Sequence, residues 1–175
     1  MKKGKTCAVC LALCLMAGTA QAMSHLKAQA EILDAKGKSI GKATFSEKKD
    51  GVKVKVEVSG LTPGRHGFHI HETASCTPPD FKSAGGHFNP FKKQHGTENP
   101  QGKHAGDFPN LEVKEDGTGQ ITTVAAGATL GKGSASLLKP GGTAIVIHAD
   151  PDDYKTDPAG NAGNRVACGV IMKKK

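Results

Sequence analysis

Six of the eight histidines in this 175-residue chain fall into one pattern whose spacing suits metal binding. His69 and His71 are separated by one residue on a β-prone segment, so both side chains would point to the same face of a strand. Imidazole nitrogens bind copper and zinc, and a carboxylate added to histidines favours zinc. The other members of the pattern, with the carboxylate nearest to them, are His87, His95, His104, Asp107 and His148.

These candidate ligands divide into two groups. Three belong to predicted strands and would have fixed positions, namely His69, His71 and His148. Three lie in a long polar segment that could wrap around a second ion, namely His95, His104 and Asp107. His87 lies between the groups, and its two ring nitrogens would let it bridge two ions as an imidazolate. The spacing therefore predicts two groups of metal ligands, and His87 is the residue whose two ring nitrogens could serve both.

The elements that position these ligands are predicted to be strands. Residues 52–58 alternate strictly between valine and a charged side chain, which is typical of a strand with one buried face. Residues 143–148 form an apolar run, which predicts a strand buried on both faces. No amphipathic helix of ordinary length follows the N-terminal segment, so the pattern predicts an all-β sandwich or barrel. Turn signals separate the strands at Asp34–Gly37, Asp50-Gly51, Pro63-Gly64, Asp116-Gly117 and Pro140–Gly142.

Two long segments interrupt this rhythm of short strands. Residues 72–110 and residues 150–165 are polar and contain glycine and proline. Loops of this length in a compact domain are usually functional or disordered. The first segment contains His87, His95 and His104, so a bound metal would explain how it becomes ordered.

The N-terminus resembles a secretory signal, which predicts a location outside the cytoplasm. Lysines 2, 3 and 5 precede a short apolar core over residues 7–17, and Ala20-Gln21-Ala22 fits a cleavage site. The predicted organisation is a signal peptide over residues 1–22 and one domain over residues 23–175. A lipid anchor on Cys14 is a weaker alternative, because Leu13 stands where a small residue is preferred.

Cysteine content and charge agree with export. Only Cys76 and Cys168 remain after the predicted cleavage, and an even pair in an oxidising compartment predicts a disulfide. The formal net charge of +8 includes three lysines of the signal. The chain has no tryptophan and one tyrosine, so no stacking platform for nucleic acid is expected. A modest attraction for small anions remains.

The metal-ligand motifs, taken together, resemble those of the copper, zinc superoxide dismutases. The resemblance runs from about Lys27 to Met172, and the motifs are specific as a set. It implies a Greek-key β-sandwich or flattened barrel of immunoglobulin-like architecture with two long functional loops. The motifs are His69–Glu72, Gly86–Pro90, His95-Gly96, His104–Asp107, His148–Asp153 and Gly160–Val170.

The resemblance implies one copper ion and one zinc ion per subunit and a role for each ligand. The implied copper ligands are His69, His71, His87 and His148. The implied zinc ligands are His87, His95, His104 and Asp107. Asp152 would hydrogen-bond a copper histidine and a zinc histidine together, and Arg165 would stand beside the copper and attract the anionic substrate.

The implied reaction is the dismutation of superoxide to dioxygen and hydrogen peroxide by alternating reduction and oxidation of copper, while zinc remains structural. On copper reduction, the His87 bridge is expected to break and take a proton. Cys76 comes only five residues after His71, a spacing that resembles the bacterial periplasmic branch. Because that branch builds its dimer differently from the eukaryotic enzymes, the resemblance leaves both a monomer and a homodimer open. No membrane contact is expected once the signal is removed.

Three other interpretations compete with the enzyme. A periplasmic copper or zinc carrier could keep the fold without turnover, although such proteins typically lose copper ligands or the arginine. A zinc hydrolase would need the H-E-x-x-H motif, and His71-Glu72 is followed by Thr73-Ala74-Ser75 instead. A purely structural sandwich would leave the histidines unexplained.

Overall fold

The computed structural model describes residues 26–174, which form ten strands and one short 3-10 helix. Within this range, the helix at Lys82–Ala84 is the only helical segment. The strands are β1 Lys27–Asp34, β2 Ser39–Lys48, β3 Gly51–Val58, β4 Gly64–His66, β5 Phe68–His71, β6 Leu111–Val113, β7 Gly119–Ala126, β8 Ala144–His148, β9 Arg165–Val170 and β10 Met172–Lys173.

The strands form one antiparallel sheet that curls into a nearly closed barrel. Their order is β4-β6-β7-β3-β2-β1-β9-β8-β5, and β10 pairs with the first half of β1. The two end strands, β4 and β5, are separated in sequence only by Gly67, so the edges of the sheet meet. Because β3 lies beside β7 and β1 beside β9, the connections cross the barrel in the manner of a Greek key. The predicted all-β Greek-key architecture is confirmed.

The alternation seen in the sequence accounts for the core. Val52, Val54, Val56 and Val58 of β3 are all buried, while Lys53 between them is exposed. Burying a valine side chain completely stabilises a fold by roughly 1.5–3 kcal/mol, so this one strand is a substantial part of the core. The same alternation in β1 buries its alanines and one isoleucine.

Strands β5 and β8 differ from the rest because every one of their residues is buried. Phe68 and Ile70 of β5 point into the main core together with Ile145 and Ile147 of β8. The histidines alternate with these residues, so they point out of the barrel and are covered by the long loops.

The connections agree with the predicted turns in most places. Asp34–Gly37 links β1 to β2, and Asp116-Gly117 links β6 to β7. Pro63-Gly64 was expected to lead directly into the strand of His69 and His71, but the short strand β4 comes first. The expectation missed β4 because a three-residue strand has too little alternation to be recognised.

A third long connection, over residues 127–143, was not predicted from the sequence. It is ordered by burial of Leu130 and Leu137, and by the carboxylate of Glu47. Glu47 Oε1 accepts a hydrogen bond from Thr129 Oγ1 at 2.7 Å, and Oε2 accepts one from the Leu130 backbone at 2.5 Å. These contacts fasten the loop to the end of β2.

The predicted signal peptide, with Cys14, lies outside the described residues. Over residues 26–174, no helix has the length and apolar character needed to cross a bilayer.

Candidate metal centre

Four histidines from two strands and one loop converge at the outer face of the barrel. One ring nitrogen from each lies within 4.8 Å of those of the others. His69 and His71 come from β5, and the register of the sheet places them beside β8, which ends at His148. His87 reaches the group from the first long loop through an isolated bridge to His71. These are the four residues that the resemblance implies as copper ligands.

The hydrogen bonding of these histidines fits a metal site. In each ring one nitrogen faces an acceptor: His69 Nε2 lies 2.7 Å from Asp152 Oδ2, His71 Nδ1 3.0 Å from the Gly85 carbonyl, and His148 Nδ1 3.2 Å from the Gly163 carbonyl. Across residues 26–174, four buried side-chain polar atoms lack a hydrogen-bond partner. All four are the second ring nitrogens of this cluster: His69 Nδ1, His71 Nε2, His87 Nε2 and His148 Nε2. A buried polar atom without a partner costs stability, and a metal ion would satisfy all four.

Burial also keeps these imidazoles neutral, as ligands must be. Burial lowers the pKa of His69 to about 3 and that of His148 to about 4. Burial lowers the pKa of His71 as well. The three rings therefore hold free lone pairs over the neutral pH range.

A second cluster surrounds the carboxylate of Asp107. His87 Nδ1 lies 3.0 Å and His104 Nδ1 3.2 Å from Asp107 Oδ1, while His95 Nδ1 lies 3.2 Å from Oδ2. His87 Nδ1 and His95 Nδ1 are 3.3 Å apart. A tetrahedral zinc with ligands at its usual bond lengths separates them by about 3.3 Å, so the spacing fits this ion.

One ring nitrogen of a fourth histidine, His69, also lies within 4.8 Å of ligand atoms of His87, His95 and Asp107. The group defined by this distance leaves out His104. His69 Nε2 is, however, engaged by Asp152 at 2.7 Å, and His69 Nδ1 is one of the four unpartnered nitrogens of the first cluster.

The charges of the second cluster are arranged around two carboxylates. Burial lowers the pKa of His95, but its hydrogen bonds to Asp107 and Asp152 outweigh burial and raise the pKa to about 9. Burial raises the pKa of Asp107, yet the hydrogen bonds from His104, His87 and His95 leave it well below its ordinary value. Asp107 is thus a stable anion among the imidazoles, which suits a divalent cation.

Asp152 connects the two clusters. Its Oδ2 accepts a hydrogen bond from His69 Nε2 at 2.7 Å, and its Oδ1 accepts one from His95 Nε2 at 3.0 Å. Gly160, at φ +64°, lies directly over this contact, and a Cβ there would collide with the Asp152 carboxylate and the His95 ring. The Asp153 carboxylate accepts from the backbone of Lys155 and Thr156 instead, and Asp152 is the carboxylate that contacts a histidine of each cluster.

Arg165 stands at the mouth of the first cluster. Its Nη1 donates to the Phe81 carbonyl at 2.8 Å, and its Nη2 donates to the Gly85 carbonyl at 2.7 Å. The Gly85 carbonyl is also the acceptor for His71 Nδ1. The guanidinium contributes to an open surface pocket lined by Pro79, Asp80, Lys82, Gly163, Asn164 and Arg165.

The predicted disulfide is present and lies behind Arg165. Cys76 and Cys168 are bonded, with their Cα atoms 5.6 Å apart and a separation of 92 positions in sequence. Cys168 is fully buried in β9, three residues after Arg165, and packs in a small apolar cluster with Phe81 and Ala84. The bond therefore ties the loop that accepts the arginine's hydrogen bonds to the strand that carries the arginine.

The structure adds two supporting residues that the sequence did not reveal. Asn110 holds the backbone of Asp152 through two hydrogen bonds. His66, outside the metal pattern, is buried, and its Nδ1 lies 2.7 Å from the His148 carbonyl. Neither role has a local sequence signal, because each contact joins segments more than 40 residues apart.

Comparison with known proteins assigns the family. The family model for copper/zinc superoxide dismutase (SODC) matches residues 39–171. The chain belongs to this family. Superoxide dismutase [Cu-Zn] 1 of Aquifex aeolicus is 52% identical over 162 residues, which cover 91% of this chain and 96% of that protein. Superoxide dismutase [Cu-Zn] of Caulobacter vibrioides is 46% identical over 138 residues, 77% of this chain and 79% of that protein.

A solved structure agrees with these relatives. The crystal structure of a SOD-like protein from Bacillus subtilis superposes with a TM-score of 0.79 at 41% identity, covering 82% of this chain and 97% of that one. The resemblance stated from the motifs is therefore confirmed. The chain is an enzyme of a family that uses copper and zinc, and its two histidine clusters fit those ions.

Proposed function

We propose that the mature domain is an exported enzyme that dismutates superoxide with one copper and one zinc ion. Copper would be held by His69, His71, His87 and His148, and zinc by His87, His95, His104 and Asp107. Bound copper would supply the one-electron redox chemistry by which two superoxide ions and two protons become dioxygen and hydrogen peroxide. Zinc supplies order and charge rather than electrons.

Arg165 would bind and orient the substrate. Its guanidinium is fixed by two backbone carbonyls, yet it still borders an open surface pocket, and it shares the Gly85 carbonyl with His71. A fixed cation at the end of a pocket attracts a small anion and offers it hydrogen bonds. At the rim of the pocket, the charge of Lys82 is paired with that of Asp80 at 3.3 Å.

His87 would hold a proton during the cycle. Its Nδ1 faces Asp107, and its Nε2 is the unpartnered atom on the copper side. With Nδ1 engaged on the zinc side, Nε2 is the one atom of this ring that can take up and release a proton, and it can do so only while it is not bound to copper. That atom faces the space between the copper histidines, where the second superoxide needs a proton.

The location follows from the sequence rather than the fold. The predicted signal over residues 1–22 would deliver the domain to the periplasm, where a disulfide is stable. The proposal includes superoxide as the substrate, and no nucleic acid or membrane partner. Sedimentation of the purified domain would distinguish a monomer from a homodimer.

A single observation carries the proposal: four buried histidines whose ring nitrogens lie within 4.8 Å of one another each keep one nitrogen without a hydrogen-bond partner. The direct test is superoxide decay, measured by pulse radiolysis, with the mature protein loaded with one copper and one zinc. Catalytic decay that disappears when copper is removed supports the enzyme. Stoichiometric decay with both metals bound would favour the carrier.

Replacing Arg165 with alanine is expected to slow superoxide decay about tenfold at low ionic strength, within the range of electrostatic steering. The variant's rate should also depend less on salt, because the cation that attracts the anion is gone. Arg165→Lys serves as the matched control, since it keeps the charge but loses the two-pronged contact with the carbonyls of Phe81 and Gly85. The measurement is the rate as a function of ionic strength. An alanine variant with the salt slope of the parent would show that another group steers the substrate.

A further inference from the structure

Tyr154 occupies a position that nothing in the proposed mechanism uses. It is the only tyrosine of the chain and lies two residues after Asp152, where the two long loops meet. Its phenol oxygen accepts a hydrogen bond from the Asn110 backbone N–H at 2.9 Å and one from Arg65 Nη2 at 3.2 Å. Asn110 immediately precedes β6 and Arg65 belongs to β4, so the phenol connects the second loop to the barrel.

Asn110 passes this contact on to Asp152. Its side-chain amide donates to the Asp152 carbonyl at 2.9 Å, and its Oδ1 accepts from the Asp152 backbone N–H at 2.8 Å. Asn110 is buried, so the paired bonds are shielded from water. The phenol oxygen therefore helps to hold Asn110, and Asn110 in turn holds the backbone of Asp152.

Tyr154 also contacts the Asp152 side chain directly. The Tyr154 backbone N–H donates to Asp152 Oδ1 at 2.6 Å, the same oxygen that accepts from His95 Nε2. The orientation of this carboxylate thus depends on where the Tyr154 backbone lies. Displacing that backbone would move Oδ1 away from His95 before it disturbed the barrel.

The Tyr154 backbone is in an unfavourable conformation that its surroundings maintain. Its φ is +67°, in the left-handed region that bulky L-residues seldom adopt. The Tyr154 carbonyl accepts from the Glu98 backbone at 3.0 Å and lies against Gly96, where a Cβ would collide with it. Such a conformation persists only when several contacts determine it. The phenol bond is the contact that a single substitution can remove.

We propose that Tyr154 is a positioning residue whose phenol oxygen, through Asn110, holds the Asp152 carboxylate where it orients His95 for zinc and His69 for copper. The inference rests on the proposed function, in which His95 binds zinc. Phenylalanine at position 154 would keep the ring but leave the part-buried Asn110 N–H without a partner, which is unfavourable.

The test measures zinc affinity rather than activity. Zinc binding to the metal-depleted protein is followed by competition with a chromophoric chelator. Tyr154→Phe is expected to weaken zinc binding about tenfold, at the lower end of the loss seen when a ligand's hydrogen-bonding partner is removed. The absorption spectrum of Co(II) bound in place of zinc should change as well, because the orientation of His95 changes. Arg65→Ala is the control: it removes the other donor to the phenol, keeps the Asn110 bond, and should leave zinc affinity within about twofold.

A double-mutant cycle with Asp152→Asn distinguishes positioning from general stability. Asp152→Asn alone should weaken zinc binding by about 10- to 100-fold. If Tyr154 acts through Asp152, adding Tyr154→Phe to that variant should change the affinity no further. An additive loss would overturn the proposal, as would a Tyr154→Phe protein that binds zinc like the parent. If the parent itself binds no zinc, it is the ligand assignment of the proposed function that fails.

Discussion

Replacing His148 with alanine is expected to abolish superoxide dismutation while zinc remains bound. The substitution removes one of four converging nitrogens. The His148 ring lies near the rings of His69 and His87, and it is not a member of the group around Asp107. Losing a direct ligand should weaken copper binding by more than the roughly 100-fold upper range for hydrogen-bonded supporting residues. The measurements are copper and zinc content after dialysis against a chelator, and the rate of superoxide decay.

The reciprocal variant His104→Ala provides the control. His104 contacts Asp107 but takes no part in the copper group, so its loss should release zinc and leave copper bound. Both positions are buried, and circular dichroism should confirm that both variants fold. Retention of catalytic activity by His148→Ala would contradict the copper assignment. Loss of both metals from both variants would mean that the clusters cannot be filled separately.

Removing the disulfide is expected to produce the largest change in stability. The bond closes a loop of 92 residues, and the chain-entropy estimate for a loop of that length is roughly 4–5 kcal/mol. Cys76→Ala/Cys168→Ala avoids placing a polar hydroxyl at the fully buried position 168. The free energy of unfolding should fall by about that amount in urea titrations that compare the oxidised parent with the double variant.

A second consequence of losing the disulfide concerns activity. Without the bond, the loop that supplies the Phe81 and Gly85 carbonyls is no longer tied to β9, so Arg165 should be held less firmly. The metal-loaded double variant is therefore expected to turn over more slowly at temperatures where it remains folded. Reduction of the parent protein should reproduce both effects. An unchanged urea midpoint would remove the argument that this bond stabilises the fold.

Much of the fold and the grouping of the candidate ligands could be predicted from the sequence, and the reason is local. The alternation of valine with charged residues over 52–58 predicts a half-buried strand. His69 and His71 share a face because side chains on a strand repeat every two residues. The assignment of His87 to a bridging position required a comparison with a known family, since spacing alone says only that it lies between two groups.

The supporting contacts could not be predicted because they depend on how distant segments pack. The bond from Asn110 to Asp152 spans 42 residues, and the contact from His66 to His148 spans 82. Short elements such as β4 could not be predicted for a different reason, because three residues are too few to show a periodic pattern. The loop over residues 127–143 is ordered by Glu47, whose carboxylate looks like an ordinary surface charge in the sequence.

The Gly85 carbonyl is hydrogen-bonded to both His71 and Arg165. The Gly85 oxygen uses its two lone pairs for His71 Nδ1 and Arg165 Nη2, at 3.0 and 2.7 Å. A shift of the Gly85 peptide would move the His71 ring and the Arg165 guanidinium at the same time. If His71 binds copper and Arg165 attracts the anion, as proposed, the position of this one oxygen affects both the metal ligand and the substrate-attracting cation. Substitutions near position 85 should alter the encounter rate and the copper potential in concert.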